Sequence, residues 1–183
     1  MGSSRLAFSY CELKNDQYTI FSERDGRLSQ PSRFNYFFPD LAPDDTQLLM
    51  QCFDQGRSQI LLQELNSDTR IVLVDGAQPR WYHDSTFVFL RDNAVWQAGL
   101  SGRELQRVHE IWQPGNTERI VDVEIAAEHN YLLVSTSDDD QVHRLLLLSA
   151  KDKRTTELHR SNHRIDDAIA SPDGTHVIFS DQV

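Results

Sequence analysis

Two histidines stand close together near the end of the sequence, in His159-Arg160-Ser161-Asn162-His163. Imidazole nitrogens are common zinc ligands, but a spacing of four residues brings two rings to one side only in an α-helix. The neighbouring residues predict instead a loop that connects two sheets of β-strands. We therefore expect an ordinary polar loop here and no metal site.

A run of acidic residues, Ser137-Asp138-Asp139-Asp140, has the oxygen atoms that a calcium ion prefers. Calcium loops also need a glycine for their sharp turn and a distal glutamate, and neither accompanies this run. A solvated hairpin turn is the favoured interpretation.

Catalytic chemistry has little support elsewhere in the sequence. Ser161 lies near His163, but both are expected in a loop, and the sequence contains no G-x-S-x-G motif. The 8 glycines stand singly in turns, so a phosphate-binding loop is not expected either. The sequence predicts a protein that is not an enzyme and binds no cofactor.

Composition narrows the classes of partner. The net charge of −10 disfavours nucleic acid, because an acidic surface repels the phosphate backbone. The longest clearly apolar run is Leu145 to Leu148, far below the ~18 residues that a membrane span requires, so no membrane insertion by this segment is expected.

With 183 residues, the chain is expected to form one domain. Cys11 and Cys52 are interpreted as reduced strand residues.

A repeat recurs along the chain, each copy reading as a tight turn followed by an apolar strand. Its clearest copies are Ser171 to Ser180 and Ala42 to Gln51, and weaker ones run from Tyr82 to Leu90 and from Ala126 to Val134. The post-turn strand of a fifth copy is expected at Arg5 to Tyr10. The acidic turn positions, Asp44, Asp84, Glu128 and Asp173, are 40, 44 and 45 residues apart. This period is typical of one four-stranded blade of a β-propeller.

The turn at the start of each repeat has a physical basis. Pro172 presets φ for the first central position of a type I turn, and Asp173 suits the next position. Gly174 then supplies a positive φ, and Asp45 is expected to adopt the same conformation in the earlier copy.

Strands follow each turn in a constant order, and several of them are apolar without alternation, as expected when both faces of a sheet are covered. We predict an all-β propeller of about four blades. The blade boundaries are a partial blade at 1–33, complete blades at about 34–76, 77–117 and 118–163, and a partial blade at 164–183.

The segment Ser171-Pro172-Asp173-Gly174-Thr175-His176-Val177-Ile178-Phe179-Ser180 resembles the TolB-type, WD40-like propeller repeat, which reads approximately S-P-D-G-x-x-hydrophobic-x-F-x. The resemblance implies a propeller and a periplasmic location, with the cytoplasm as the alternative. Proteins of this family include periplasmic docking proteins, propellers that gate serine peptidases, and sensory halves of membrane-anchored transcription regulators. The motif carries no catalytic residue, so the resemblance implies no active site.

The innermost strand of each blade precedes its acidic turn and should line the central channel, where propellers bind partners. Polar residues of these strands are the predicted binding residues: Asn35, Arg80, Arg119, Arg164 and Asp166. The alternative is that these polar and charged residues only keep the mouth of the channel hydrated and bind no partner. Seven aromatic residues could add a recognition surface, although most are expected in the core: Tyr36, Phe37, Phe38, Trp81, Tyr82, Trp96 and Trp112.

Closed propellers commonly need six to eight blades, so we expect either a part of a larger protein or a small closed ring. An unclosed array would expose blade faces and strand edges and invite self-association. The expected function is non-enzymatic binding of a protein partner or a small ligand at the channel face, for example as the extracytoplasmic sensor domain of a membrane-anchored transcription regulator. The alternative is an accessory, substrate-gating propeller of a serine peptidase.

Overall fold

The computed structural model describes residues 9–14, 17–22, 26–27, 34–67, 69–83, 85–102, 104–115, 117–127, 130–137 and 141–182. Within these ranges the regular structure consists of β-strands: β1 (Ser9–Lys14), β2 (Gln17–Ser22), β3 (Gly26–Arg27), β4 (Asn35–Leu41), β5 (Gln47–Asp54), β6 (Arg57–Glu64), β7 (Arg70–Asp75), β8 (Ala77–His83), β9 (Thr86–Arg91), β10 (Ala94–Ser101), β11 (Glu104–Trp112), β12 (Glu118–Ile125), β13 (Tyr131–Ser137), β14 (His143–Leu148), β15 (Thr155–Ser161), β16 (Ile165–Ala170) and β17 (Val177–Asp181). The all-β prediction is confirmed.

The strands form five sheets in chain order. Strands β1 to β3 make a three-stranded sheet, three four-stranded sheets follow, and β16 and β17 make a two-stranded sheet. Neighbours in sequence are neighbours in each sheet, and the pairs in the β4–β7 and β12–β15 sheets are antiparallel. This meander is the arrangement expected of propeller blades.

The chain divides into two compact units, Met1–Phe87 with Gly99–Gln106, and Val88–Ala98 with Arg107–Val183. The core of the first unit forms because β5 is covered on both faces: Leu48, Leu49 and Met50 are all fully buried. One face joins a cluster with Ile20 of β2 and Tyr36 of β4. Full burial of such a side chain contributes about 1.5–3 kcal/mol, so an unbroken apolar run suits this strand.

The second unit has an equivalent core where β16 covers one face of the β12–β15 sheet. Leu132, Val134 and Leu145 pack there against Ile165 and Ala168 of β16. Val177 and Phe179 of β17 extend this contact. The last two strands therefore lie on the preceding sheet in the way one blade lies on the next.

The repeated turn folds as its sequence predicts. Asp45 has φ of 58° and Gly174 has φ of 69°, so both adopt the left-handed conformation. The Asp173 Oδ1 atom accepts hydrogen bonds from Ser171 Oγ (2.6 Å), Thr175 N (3.0 Å) and Thr175 Oγ1 (2.8 Å). Those bonds, with the one from Ser171 the largest influence, lower the pKa of Asp173 to about 2. These hydrogen bonds hold the carboxylate within the turn.

Among the other three acidic turn positions, the structure describes Asp44. Asp44 accepts bonds from Thr46 N (3.0 Å) and Thr46 Oγ1 (2.7 Å), which lower its pKa in the same way. Asp84 and Glu128 lie outside the described residues, as does the predicted strand start at 5–8.

One sequence interpretation is wrong in detail. His159 was expected in a loop, but β15 continues to Ser161 and includes it, leaving only His163 in the connection. The strand extends this far because Arg144 and His143 of β14 pair with Arg160 and Ser161. The acidic residues 138–140, interpreted as a solvated turn, lie outside the described residues.

Candidate binding surface

The innermost strands β4, β12 and β16 each contain a β-bulge, where the pairing register shifts between Phe37 and Asp40, between Ile120 and Asp122, and between Asp166 and Ile169. A bulge leaves a residue unpaired and redirects its side chain. Strands β4, β8 and β16 each have one non-glycine residue at positive φ: Phe38 (49°), Gln78 (50°) and Asp167 (52°). Each of these residues lies six positions before the acidic turn position of its repeat.

Phe38 is the most unusual of these residues. A bulky side chain at positive φ is a genuine outlier, and such strain costs of the order of 1–3 kcal/mol. Pro39 restricts the backbone of the residue before it still further. Despite this cost, Phe38 is not fully buried and keeps 37 % of its surface exposed. Backbone strain of this kind clusters at functional sites, so Phe38 is a candidate contact residue.

Phe38 belongs to a surface of the first unit that we call the aromatic patch, made of Tyr18, Phe37, Phe38 and Arg80. The ring centres of Tyr18 and Phe37 are 4.7 Å apart, and those of Phe37 and Phe38 are 6.4 Å apart. The Arg80 guanidinium carbon lies 6.0 Å from the centre of the Phe38 ring, at the limit of a cation–π contact. Aromatic rings with an arginine are the composition of energetically dominant interface residues.

The predicted residue Asn35 supports one edge of the patch. Its Oδ1 atom accepts a hydrogen bond of 3.0 Å from the backbone N of Tyr18, which fixes β2 beside the start of β4. Asn35 also pairs across the sheet with Phe53, whose ring is exposed. Its observed role is therefore to position an aromatic residue.

Arg80 is positioned by the strand that carries it. Its Nη1 atom donates to the carbonyl of Pro79 at 3.1 Å. The next residue, Trp81, is buried and bonds to Asp40 twice: its backbone N donates to Oδ2 (2.6 Å) and its Nε1 to the carbonyl oxygen (3.1 Å). This double contact holds β8 against β4 and so places Arg80 beside Phe38.

The other predicted residues lie in the second unit. Arg164 Nε donates to Asp166 Oδ1 at 2.7 Å, and Gln182 Nε2 donates to Asp166 Oδ2 at 2.8 Å. Arg164 and Asp166 thus pair with each other at the start of β16, and Arg119 is exposed in β12. The structure brings Asn35 and Arg80 to the aromatic patch and joins Arg164 and Asp166 in an ion pair. Their binding roles stay predictions.

The two histidines considered for zinc meet the carboxylate of Asp181. His159 Nε2 lies 3.2 Å from Asp181 Oδ2, and His163 Nδ1 lies 3.8 Å from Oδ1. Ser161 Oγ donates to Oδ1 at 2.8 Å, and this bond is the main reason that the pKa of Asp181 is lowered. No group of three ligand residues suited to a metal is present in the described part of the chain. The cluster fastens β17 to β15.

Sequence reasoning did not single out Tyr18 or Phe53 and gave Phe38 no special position. A usable signal was present in Pro39 and Pro79, which fall inside predicted innermost strands. Proline is found inside sheets chiefly at edges and bulges, so Pro39 marks the bulge of β4 beside Phe38. Pro79 follows Gln78, the residue of β8 at positive φ. Strand alternation alone predicts no exposed ring at position 38.

Comparison with known proteins identifies the fold. No family model and no curated protein matches the chain. Among solved structures, TolB from Acinetobacter baumannii superposes with a TM-score of 0.67 at 20 % identity, covering 94 % of this chain and 46 % of that one. Oligogalacturonate lyase from Vibrio parahaemolyticus gives a TM-score of 0.64 at 14 % identity, covering 96 % and 53 %. A prolyl endopeptidase gives 0.58 at 16 % identity, covering 91 % and 28 %.

These similarities, with the sheet order, confirm the prediction of a TolB-like β-propeller fold. At such identities they show the fold alone, and the matched proteins include both enzymes and TolB. The chain spans about half the length of the first of these structures. In the described part of the chain, no helix has the length and hydropathy of a membrane span.

Proposed function

We propose that this chain is a non-enzymatic binding propeller that holds a protein partner, or a small ligand, on its aromatic patch. The observation that carries the proposal is Phe38, an exposed ring kept at a strained φ of 49° beside Arg80. A rigid sheet that presents such a ring suits recognition, because the ring need not be ordered on binding. The sequence also lacks a G-x-S-x-G motif.

A selection experiment tests this role. Purified chain is used to select binders from a random peptide library, and each binder is tested by titration against Phe38→Ser and Arg80→Ala. Loss of a central aromatic contact typically costs 2 kcal/mol or more, so binding should weaken at least ~30-fold. Leu158→Ser, which alters an equally exposed apolar residue of the second unit, should leave affinity unchanged.

Two results would reject the patch as the binding surface. One is a selection that yields no specific binder. The other is a set of binders that keep full affinity for Phe38→Ser while folding of that variant is intact.

A periplasmic sensor domain of a membrane-anchored regulator is the whole-protein role that we favour. Its support is the TolB fold combined with the absence of an evident active site in the sequence. The second candidate is the substrate-gating propeller of a serine peptidase, which the prolyl endopeptidase similarity favours. Reading the coding sequence on both sides separates them: a downstream G-x-S-x-G with Asp and His supports the peptidase, and an upstream winged helix with one membrane span supports the regulator.

A further inference from the structure

A polar cavity lies on one face of the β12–β15 sheet and has a volume of about 390 Å³. Cavities that hold small molecules in proteins measure ~300–1,000 Å³, so this space is large enough for a ligand. Its lining residues belong to the second unit, whereas the aromatic patch belongs to the first. They are polar except for Leu146: Thr117, Glu118, Ser137, Arg144, Leu146, Thr155 and Glu157.

Strand pairing brings the floor of this cavity together. Glu118 lies opposite Ser137 across β12 and β13, and Ser135 lies opposite Arg144 across β13 and β14. Paired residues, and residues two positions apart in a strand, point to the same face of a sheet, so these four side chains share one face. The register of the sheet therefore fixes the polar floor.

Charges of opposite sign alternate across this face. Arg144 lies between two carboxylates: its Nη1 atom is 3.6 Å from Glu118 Oε1, and its Nε atom is 3.6 Å from Glu157 Oε2. Arg160 donates to both oxygens of Glu157, at 3.0 and 2.9 Å. These bonds are the main influence that lowers the pKa of Glu157, so this carboxylate is ionised at neutral pH. Two carboxylates and two guanidinium groups leave the face without net charge.

Ser137 supplies a hydroxyl group that the fold does not use. The residue is only 6 % exposed, and its backbone bonds to Val142 O (2.9 Å) and Gln141 N (3.1 Å). Its hydroxyl forms no hydrogen bond with any residue that the structure describes, whereas Ser135 Oγ donates to Glu118 Oε1 at 2.6 Å. Buried polar groups are normally hydrogen-bonded, so an unused hydroxyl that lines a cavity indicates a ligand contact.

We propose that this cavity binds a neutral sugar, with adjacent hydroxyl groups of the sugar over Glu118 and Arg144. A hydroxyl group both donates and accepts, so two neighbouring hydroxyls can donate to the carboxylate and accept from the guanidinium at the same time. Hydrogen bonds to charged groups are the stronger kind. Ser137 adds a further polar contact, and Leu146 offers an apolar surface to the C–H bonds of the sugar ring.

The balance of charge argues against an ionic ligand. A carboxylate or phosphate drawn to Arg144 meets Glu118 and Glu157 on either side, and an amine drawn to one of these carboxylates meets Arg144. Only 16 % of the Arg144 side chain and 22 % of the Glu118 side chain are exposed, so water screens such repulsion poorly. A neutral polyhydroxyl ligand avoids the repulsion.

Saturation-transfer NMR on the purified chain tests the proposal, which does not depend on the aromatic patch. The probes are D-glucose, D-galactose, D-mannose, lactose and maltose, and we expect transfer of saturation to the ring protons of at least one of them. Sodium D-galacturonate and D-galactosamine, which each carry a charge, should bind more weakly than the best neutral sugar.

Two variants assign the binding to this cavity. Ser137→Ala removes the unused hydroxyl, so it should keep the wild-type melting temperature and weaken binding ~3- to 10-fold. Glu118→Gln removes a charged acceptor and should weaken binding ~10- to 100-fold. Glu104→Gln, which changes an exposed carboxylate of β11, and Phe38→Ser should bind the sugar as the wild type does.

Absence of transfer to all five neutral sugars would overturn the proposal. Tighter binding of either charged sugar would also overturn it, as would wild-type affinity of a folded Ser137→Ala or Glu118→Gln variant.

Discussion

Replacing Gly174 by alanine tests the packing of the last turn against the preceding sheet. A methyl group at this position would lie 2.5 Å from the Cβ atom of Ala127, closer than two carbon atoms approach in proteins. Neither methyl group can rotate away, because each is fixed to its backbone. The residue also has φ of 69°, which costs alanine ~1–2 kcal/mol.

The two contributions are separable. Gly102 has φ of 62° and nothing within 4 Å of an added Cβ, so Gly102→Ala carries the conformational cost alone, ~1–2 kcal/mol. Relief of the contact at Gly174 requires a local backbone shift, and overpacking of this kind costs ~1–3 kcal/mol more. We expect Gly174→Ala to lower the free energy of unfolding by ~2–5 kcal/mol.

Urea unfolding followed by circular dichroism measures these values, with an unchanged m-value as the check that the transition is comparable. Adding Ala127→Gly should restore the overpacking part in Gly174→Ala, after correction for the effect of Ala127→Gly alone. Equal losses for Gly174→Ala and Gly102→Ala, or no rescue by Ala127→Gly, would refute the contact.

Three further predictions follow from single side chains. The pKa of Asp173 is lowered to about 2, so its stabilisation of the turn is fully present above the unfolded value near 4 and is lost as pH falls through about 2. The melting-temperature difference from Asp173→Asn should therefore shrink as pH falls from about 4 toward about 2, and a difference that is undiminished at about pH 2 would contradict this pKa. Asn93→Ala should cost about 1–2 kcal/mol in urea unfolding, because Oδ1 accepts from Ile120 N (2.9 Å) and Nδ2 donates to the Glu118 carbonyl oxygen (2.8 Å). Asn93→Asp should also be destabilising, because it keeps the acceptor but turns an oxygen toward that carbonyl, and a variant as stable as wild type would contradict the second bond. Trp81→Phe should cost about 1–2 kcal/mol by removing the Nε1 bond to Asp40, and a larger loss for Trp81→Ala, ~3–5 kcal/mol, would separate packing from hydrogen bonding.

The repeat was predictable because its information is local. Asp44 and Asp173 accept bonds from residues two positions away, and Asp45 and Gly174 meet a backbone requirement of the same turn. Sequence neighbours alone dictate this geometry. The strands were predictable for a related reason: a strand covered on both faces carries consecutive apolar residues, as Leu48, Leu49 and Met50 do in β5.

The candidate surface was less predictable because it depends on register between strands. Phe38 is exposed through a shift in pairing between β4 and β5, and strand alternation does not encode that shift. Arg164 and Asp166 are only two residues apart, so their ion pair is local and does not depend on register between strands. His159 becomes a strand residue because its partner strand continues opposite it.

The buried thiol of Cys52 offers a way to measure how often strand β5 leaves the core of the first unit. Burial is the main cause that raises the pKa of this thiol, so at neutral pH it stays protonated and is a poor nucleophile. Alkylation of Cys52 should therefore wait for β5 to leave the core. In a Cys11→Ser background, the rate of labelling by iodoacetamide measures how often that strand separates from its neighbours under native conditions.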